Sequence, residues 1–139
     1  LMLLERSADK SLVRGDTRGA VRMLHMAVDL ARREMMRGEL DDPVSALLMF
    51  SCKLGDALAL DNHRTDAERV LMEVLNLAGP SSAERSRILA SLASIARGTG
   101  RADAAYQRLD EALAIAEKTS EKALIENLER LRQKWVAGA

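Results

Sequence analysis

Hydrophobic residues along this chain recur at the three- and four-residue spacing of an α-helix. Leu24, Ala27, Ala31 and Met35 form one such series, and all four share one helical face. No segment shows the strict alternation of apolar and polar residues that is typical of a strand. We therefore predict an all-α fold.

The last hydrophobic series predicts a helix over residues 120–136. Its members, at spacings of four, three and four, are Leu124, Leu128, Leu131 and Trp135. Two interpretations fit this series. It can be a capping helix folded on Ala112 and Ile115, which covers the open end of a helical stack. It can also be a coiled-coil seam through which two copies of the chain form a homodimer.

One pattern of small and large residues occurs three times. Segments that begin at Gly15, Asn62 and Gly100 align without gaps. Alanines share one column of this alignment, and they are Ala20, Ala67 and Ala105. Leucines share another, and they are Leu24, Leu71 and Leu109. Because a small residue lets two antiparallel helices approach closely, each copy is predicted to be one helical hairpin.

Turn and cap signals divide the chain into about seven helices. We predict helices over residues 2–13, 18–37, 43–60, 102–118 and 120–136, and two more that start near residues 65 and 81. Gly38 is predicted to end the second helix, and Asp42 with Pro43 to begin the third. Thr65 with Glu68, and Ser81 with Glu84, fit the capping-box pattern.

These features resemble the tetratricopeptide repeat family. Three features carry the resemblance: the small residue Gly55 within a helix, the three tight turns, and the alanines that follow those turns. The copies lie 47 and 38 residues apart instead of about 34, and leucine or alanine replaces the large aromatic residues, so the repeats are elongated and degenerate. The longer period is similar to that of kinesin light chains and of bacterial regulators and serine/threonine kinases with helical-repeat tails.

The resemblance covers nearly the whole chain and implies an α–α superhelix. We expect one domain, residues 1–139, with three hairpins over about 1–40, 43–79 and 82–118 and a capping helix over 120–136. Since the chain begins with Leu1 instead of methionine, we also expect it to be part of a longer protein.

Composition narrows the function classes. The chain has 21 basic and 21 acidic residues, so we expect no general attraction to nucleic acid or to a membrane surface. Aromatic residues make up only 2%, so the core must be built from leucine, alanine, valine and methionine. A single cysteine, Cys52, cannot form an intrachain disulfide and favours a cytoplasmic location. No apolar run reaches the length of a membrane span.

Candidate chemistry is sparse. His25 and His63 lie far apart, and neither has a metal-ligand spacing. An acidic group, Glu39, Asp41 and Asp42, is explained by helix capping as well as by metal binding. We therefore predict no enzyme activity, no metal and no cofactor. Four methionines of the second helix, Met23, Met26, Met35 and Met36, are either core residues or an adaptable apolar surface.

The resemblance implies a binding surface, because the first helices of successive tetratricopeptide units line the concave face. The residues that it selects are Met2, Glu5, Asp9, Met49, Cys52, Asp56, Arg87, Ser94 and Arg97. They describe a groove that is acidic and apolar at one end and basic at the other, which suits a peptide of matching polarity. Solvated charge is the alternative interpretation. The Lys and Asn set of chaperone-binding members is not present at these positions.

We therefore expect a scaffold or adaptor module that binds a peptide or protein segment, within a larger signalling protein. The alternative is an oligomerisation or intramolecular regulatory domain of a bacterial kinase or transcription regulator. Small-ligand sensing has no support in the sequence, which offers no aromatic-rich pocket.

Overall fold

The described residues form α-helices joined by short turns. The computed structural model describes residues 2–38 and 42–138, and no strand occurs in these ranges. In chain order the helices are α1 Met2–Val13, α2 Thr17–Arg37, α3 Pro43–Leu60, α4 Arg64–Leu75, α5 Ala83–Gly98, α6 Ala102–Lys118 and α7 Lys122–Ala137. The prediction of an all-α fold with about seven helices is confirmed.

The three turns aligned in the sequence have one backbone conformation. Gly15, Asn62 and Gly100 have φ angles of 78°, 62° and 80°, in the left-handed region that glycine and asparagine tolerate best. After each turn residue, the next amide donates to the carbonyl five residues back, and the acceptors are Ser11, Leu58 and Ala96. This bond belongs to the Schellman motif that ends a helix. The predicted turns are therefore confirmed.

A fourth turn of the same form connects α6 to α7. Ser120 has φ 56°, and the amide of Glu121 donates to the carbonyl of Ala116. The sequence alignment missed this turn because serine rarely adopts a positive φ.

Predicted helix starts are partly confirmed. The carboxylate of Asp42 accepts a hydrogen bond from the amide of Ser45, and Pro43 lies in the first turn of α3, as predicted. Gly38 ends α2 with φ 72°, which is also as predicted. Hydrogen bonds from Ser45 lower the pKa of Asp42 below its usual value, because they favour the ionised carboxylate.

Both predicted capping boxes are wrong. Helix α4 begins one residue before Thr65, at Arg64, because the turn at Asn62 already sets the direction of the chain. In α5 the capping residue is Ser82, not Ser81, and its hydroxyl accepts from the amide of Arg85.

The chain divides into two compact units, 1–77 and 78–139. In unit 1, α2 packs against α1 and α3, and α3 packs against α4. At the crossing of α3 and α4, Gly55 faces Leu71 so closely that a Cβ on residue 55 would lie 2.7 Å from the Leu71 Cγ atom. The side chain of Thr17 donates to Asp61 over 3.2 Å and so ties the start of α2 to the end of α3.

In unit 2, α6 packs against both α5 and α7. The hydroxyl of Ser86 on α5 is buried and donates to the carbonyl of Ala112 on α6 at 2.7 Å. The alanines and leucines of the two repeat columns are buried in both units, and these residues are Ala20, Ala67, Ala105, Leu24, Leu71 and Leu109. The three hairpins therefore share one packing scheme, in which each buried leucine contributes about 2 kcal/mol.

Candidate functional site

Helices α1 and α3 together carry the candidate site of unit 1. Both helices pack against α2. The buried residues of α1 are Ala8 and Ser11, and those of α3 include Leu47, Phe50 and Leu54. A lysine that the sequence reasoning did not select, Lys53, joins the two helices. Its ammonium lies 2.8 Å from Glu5 Oε1 and 3.5 Å from Asp9 Oδ1. One cation of α3 therefore bridges two carboxylates of α1.

The environment of Lys53 favours its charged form. Partial burial alone lowers the pKa of the ammonium, but the hydrogen bond to Glu5 and the charges of Asp9 and Glu5 outweigh this effect. The pKa is therefore raised above its ordinary value of 10.5. Such a half-exposed cluster stabilises the contact of α1 with α3 by about 1 kcal/mol or less. Its larger effect is to fix the positions of the three side chains.

The other residues selected in unit 1 lie on the same two helices, each within about one helical turn of Glu5 or Lys53. Met2 and Met49 are exposed apolar side chains, Cys52 is half-buried, and Asp56 is exposed. On α3, Met49, Cys52 and Asp56 follow one another at spacings of three and four, so they share one helical face. We call this surface the α1–α3 face, and its residues are Met2, Glu5, Asp9, Met49, Cys52, Lys53 and Asp56.

The α1–α3 face combines charge with exposed apolar surface. The two carboxylates of Glu5 and Asp9 meet the one ammonium of Lys53, so this cluster has an excess of negative charge. Met2 and Met49 add flexible thioether side chains, which adapt to differently shaped apolar partners. This arrangement can hold a peptide that offers both basic and apolar side chains.

The three residues selected in unit 2 lie on α5. Arg87 and Ser94 are exposed, and Arg97 is half-buried. The guanidinium carbon of Arg97 lies 5.0 Å from the ring centroid of Trp135, and Arg97 Nη2 donates to the Trp135 carbonyl at 3.4 Å. Arg97 therefore stacks on α7 within its own unit, at a distance typical of cation–π contacts.

Helix α7 is held against α6 by aromatic and polar contacts as well as by leucine packing. Trp135 is buried and meets Tyr106 of α6 edge-on, with ring centroids 5.7 Å apart. Arg132 lies 5.5 Å from the Tyr106 ring and donates to Asp110 at 2.8 Å. The hydrogen bond to Asp110 and its negative charge raise the pKa of Arg132. These contacts, with the buried Leu128, are those of a helix folded on its own chain.

Other chemistry is not visible in the described residues. Within 2–38 and 42–138, no three His, Cys, Asp or Glu side chains come together as metal ligands would. Of the acidic group noted in the sequence, Glu39 and Asp41 lie outside the described residues. None of the helices described combines the length and the apolar character needed to cross a bilayer. Neither a family model nor a curated protein matches the chain.

Proposed function

We propose that this chain is a tetratricopeptide-like module that binds a peptide segment of another protein on the α1–α3 face. The observation that carries the proposal is the bridge from Lys53 to Glu5 and Asp9, beside the exposed Met2 and Met49. The bridge holds polar groups of two helices in fixed positions next to adaptable apolar surface. A surface of this kind needs little rearrangement to bind a peptide, which lowers the entropy cost of binding.

The repeat supports this proposal. Three turns of equal conformation, with alanine and leucine buried at equal positions after each, are what a stack of tetratricopeptide-like hairpins requires. In that family the first helices of successive units present the binding surface, and α1 and α3 are the first helices of the first two hairpins. The partner that fits the α1–α3 face carries apolar side chains and at least one basic group.

The cellular setting belongs to the same proposal. We infer that the module is a scaffold or adaptor within a larger signalling protein, and that it lies in the cytoplasm, where a single cysteine that forms no intrachain disulfide is ordinary. Because Trp135 and Leu128 are already buried within unit 2, we favour the capping role of α7 over a homodimer seam. Light scattering over a range of protein concentrations tests that choice, since a seam would give a mass that rises towards the dimer.

Two methionines of equal exposure provide the test of the binding surface. Met49 on the α1–α3 face and Met72 on α4 are both 42% exposed. We expect Met49→Glu to abolish recovery of the partner in a pull-down from the native host, and Met72→Glu to leave it unchanged. Circular dichroism must show equal helicity for both variants. Equal recovery with both variants, or equal loss, would contradict the proposed surface.

A further inference from the structure

The outer side of α2 carries a straight row of exposed residues that the fold does not use. We call this row the α2 ridge, and its residues are Arg18, Arg22, Met26, Asp29, Arg33 and Met36. They follow one another at spacings of three and four, so they form one stripe that runs about 27 Å along the helix. The opposite side of α2 is buried through Ala20, Leu24, Ala27 and Ala31.

The side chains of the ridge arginines make no polar contact within the described residues. No hydrogen bond or ion pair joins the side chain of Arg18, Arg22 or Arg33 to any residue in the ranges 2–38 and 42–138. The neighbouring Arg32, by contrast, pairs with Glu73 of α4 at 3.3 Å. Ion pairing within unit 1 therefore explains Arg32, which lies beside the ridge, but it does not explain the three arginines of the ridge.

Helix formation does not explain Arg18 either. The N-terminus of a helix carries a partial positive charge, so a cation in its first turn destabilises it. Arg18 lies in the first turn of α2, which has no acidic residue, and the carboxylate of the N-cap residue Asp16 offsets only part of this charge. An external negative partner would turn this unfavourable arrangement into a favourable one.

Two exposed methionines interrupt the row of charge. Met26 is 59% exposed and Met36 is 88% exposed, so for these residues the structure favours the apolar-surface alternative over core packing. They lie ten residues apart, which is about 15 Å along the helix. Two isolated thioethers give too little apolar area to insert into a bilayer, but they match two apolar side chains on one face of another helix.

We propose that the α2 ridge is a second docking surface, which binds an acidic amphipathic helix of a partner protein. Carboxylates of that helix would pair with Arg18, Arg22 and Arg33, and two apolar side chains would cover Met26 and Met36. The charge of the ridge is opposite to that of the α1–α3 face, so the two surfaces select different partners. This docking surface does not depend on the function proposed for the α1–α3 face.

A synthetic helix provides the probe. It is a fluorescein-labelled amphipathic peptide of glutamate, alanine and leucine, about 20 residues long so that it spans the ridge. Two leucines ten residues apart lie on its glutamate face. A second peptide carries lysine in place of every glutamate. We expect saturable anisotropy changes with the glutamate peptide, binding about tenfold tighter than the lysine peptide, and weakening with added salt.

Matched charge reversals complete the test. The ridge variant is Arg18→Glu, Arg22→Glu and Arg33→Glu. The control is Lys118→Glu, Lys122→Glu and Arg130→Glu, which changes the net charge equally on exposed positions of unit 2. We expect the ridge variant to lose affinity about tenfold or more and the control to lose less than about twofold.

Three results would overturn the proposal. The first is the absence of saturable binding by the glutamate peptide, and the second is an equal loss of affinity in both variants. The third is ridge-dependent cosedimentation with vesicles of phosphatidylserine and phosphatidylcholine when the peptide shows no ridge-dependent binding, which would assign the ridge to a membrane surface. Met49→Glu must leave peptide binding at the ridge unchanged, so failure of one surface is distinguishable from failure of the other.

Discussion

Replacement of Gly55 by alanine tests the close approach of α3 and α4 in unit 1. A Cβ on residue 55 would lie 2.7 Å from Leu71 Cγ and 2.9 Å from each of its two Cδ atoms. Carbon atoms in contact are normally about 3.5–4.0 Å apart, so the helices must separate by several tenths of an ångström or more. Leu71 cannot swing away easily, because it has 0% exposure and Cγ is close to its own backbone.

Two opposing effects decide how much Gly55→Ala changes the free energy of unfolding. Alanine stabilises a helix interior by about 1 kcal/mol relative to glycine. Overpacking of a core costs about 1–3 kcal/mol, and a clash with a branch carbon on a fully buried leucine belongs at the upper end. We therefore expect Gly55→Ala to lower the free energy of unfolding by about 1–2 kcal/mol, with a fall in Tm of roughly 3–8 °C.

Urea denaturation followed by far-ultraviolet circular dichroism measures this loss. Gly79→Ala is the control, because its Cβ would meet Ser82 Cβ at an ordinary 3.7 Å. Leu71→Ala removes the atoms that clash and by itself costs about 2–5 kcal/mol. In the double variant, Gly55→Ala should therefore cost nothing further, which gives a coupling energy of about 1–2 kcal/mol. Additive losses, or a Gly55→Ala variant as stable as the wild type, would refute the close approach.

The remaining predictions concern single groups. Ser86→Ala should lose about 1 kcal/mol of stability because it removes a buried hydrogen bond, whereas Ser51→Ala should lose none, because the buried Ser51 hydroxyl finds no hydrogen-bond partner among the described residues. Equal urea midpoints for the two variants would contradict this. Ser120→Gly should raise Tm, because the left-handed backbone conformation costs serine about 1 kcal/mol and costs glycine almost nothing. Gly100→Ala should lower Tm for the same reason, since residue 100 has φ 80°. Lys53→Met should cost about 1 kcal/mol or less below pH 10.5, where the folded and unfolded lysines are both charged. That difference should vanish as the pH rises through the raised pKa, and a difference that is constant with pH would contradict the ion cluster.

Local signals in the sequence located most of the helices correctly. Residue bounds of α1, α3 and α6 agree with the structure, and the turns at Gly15, Asn62 and Gly100 were found from residue type and alignment alone. These features depend on hydrogen bonds between residues at most five positions apart, so neighbouring residue types decide them. The capping boxes failed because several serines, threonines and acidic residues stand near each helix start, and only the turn geometry selects the one that caps.

The sequence alone predicted only some of the residues of the candidate site. The spacing of Met49, Cys52 and Asp56 predicts that they share one face of α3, and all three are exposed or half-buried in the structure. Lys53 was missed, although it lies next to Cys52, because nothing local shows that it faces the carboxylates of α1. Arg97 was selected for its helical position, and its stacking on Trp135 depends on how α7 folds back.

The sequence by itself therefore determined the class of the fold, the helical hairpins and the small residues that let helices approach. Helix periodicity and turn conformation are set by interactions within a few residues, and the alignment of three copies reinforced each signal. Only the tertiary structure decided which charges pair, which methionines stay exposed, and that the arginines of the α2 ridge find no ion-pair partner within residues 2–38 and 42–138. Those outcomes depend on contacts between residues tens of positions apart, such as Lys53 with Glu5, and packing alone brings such residues together.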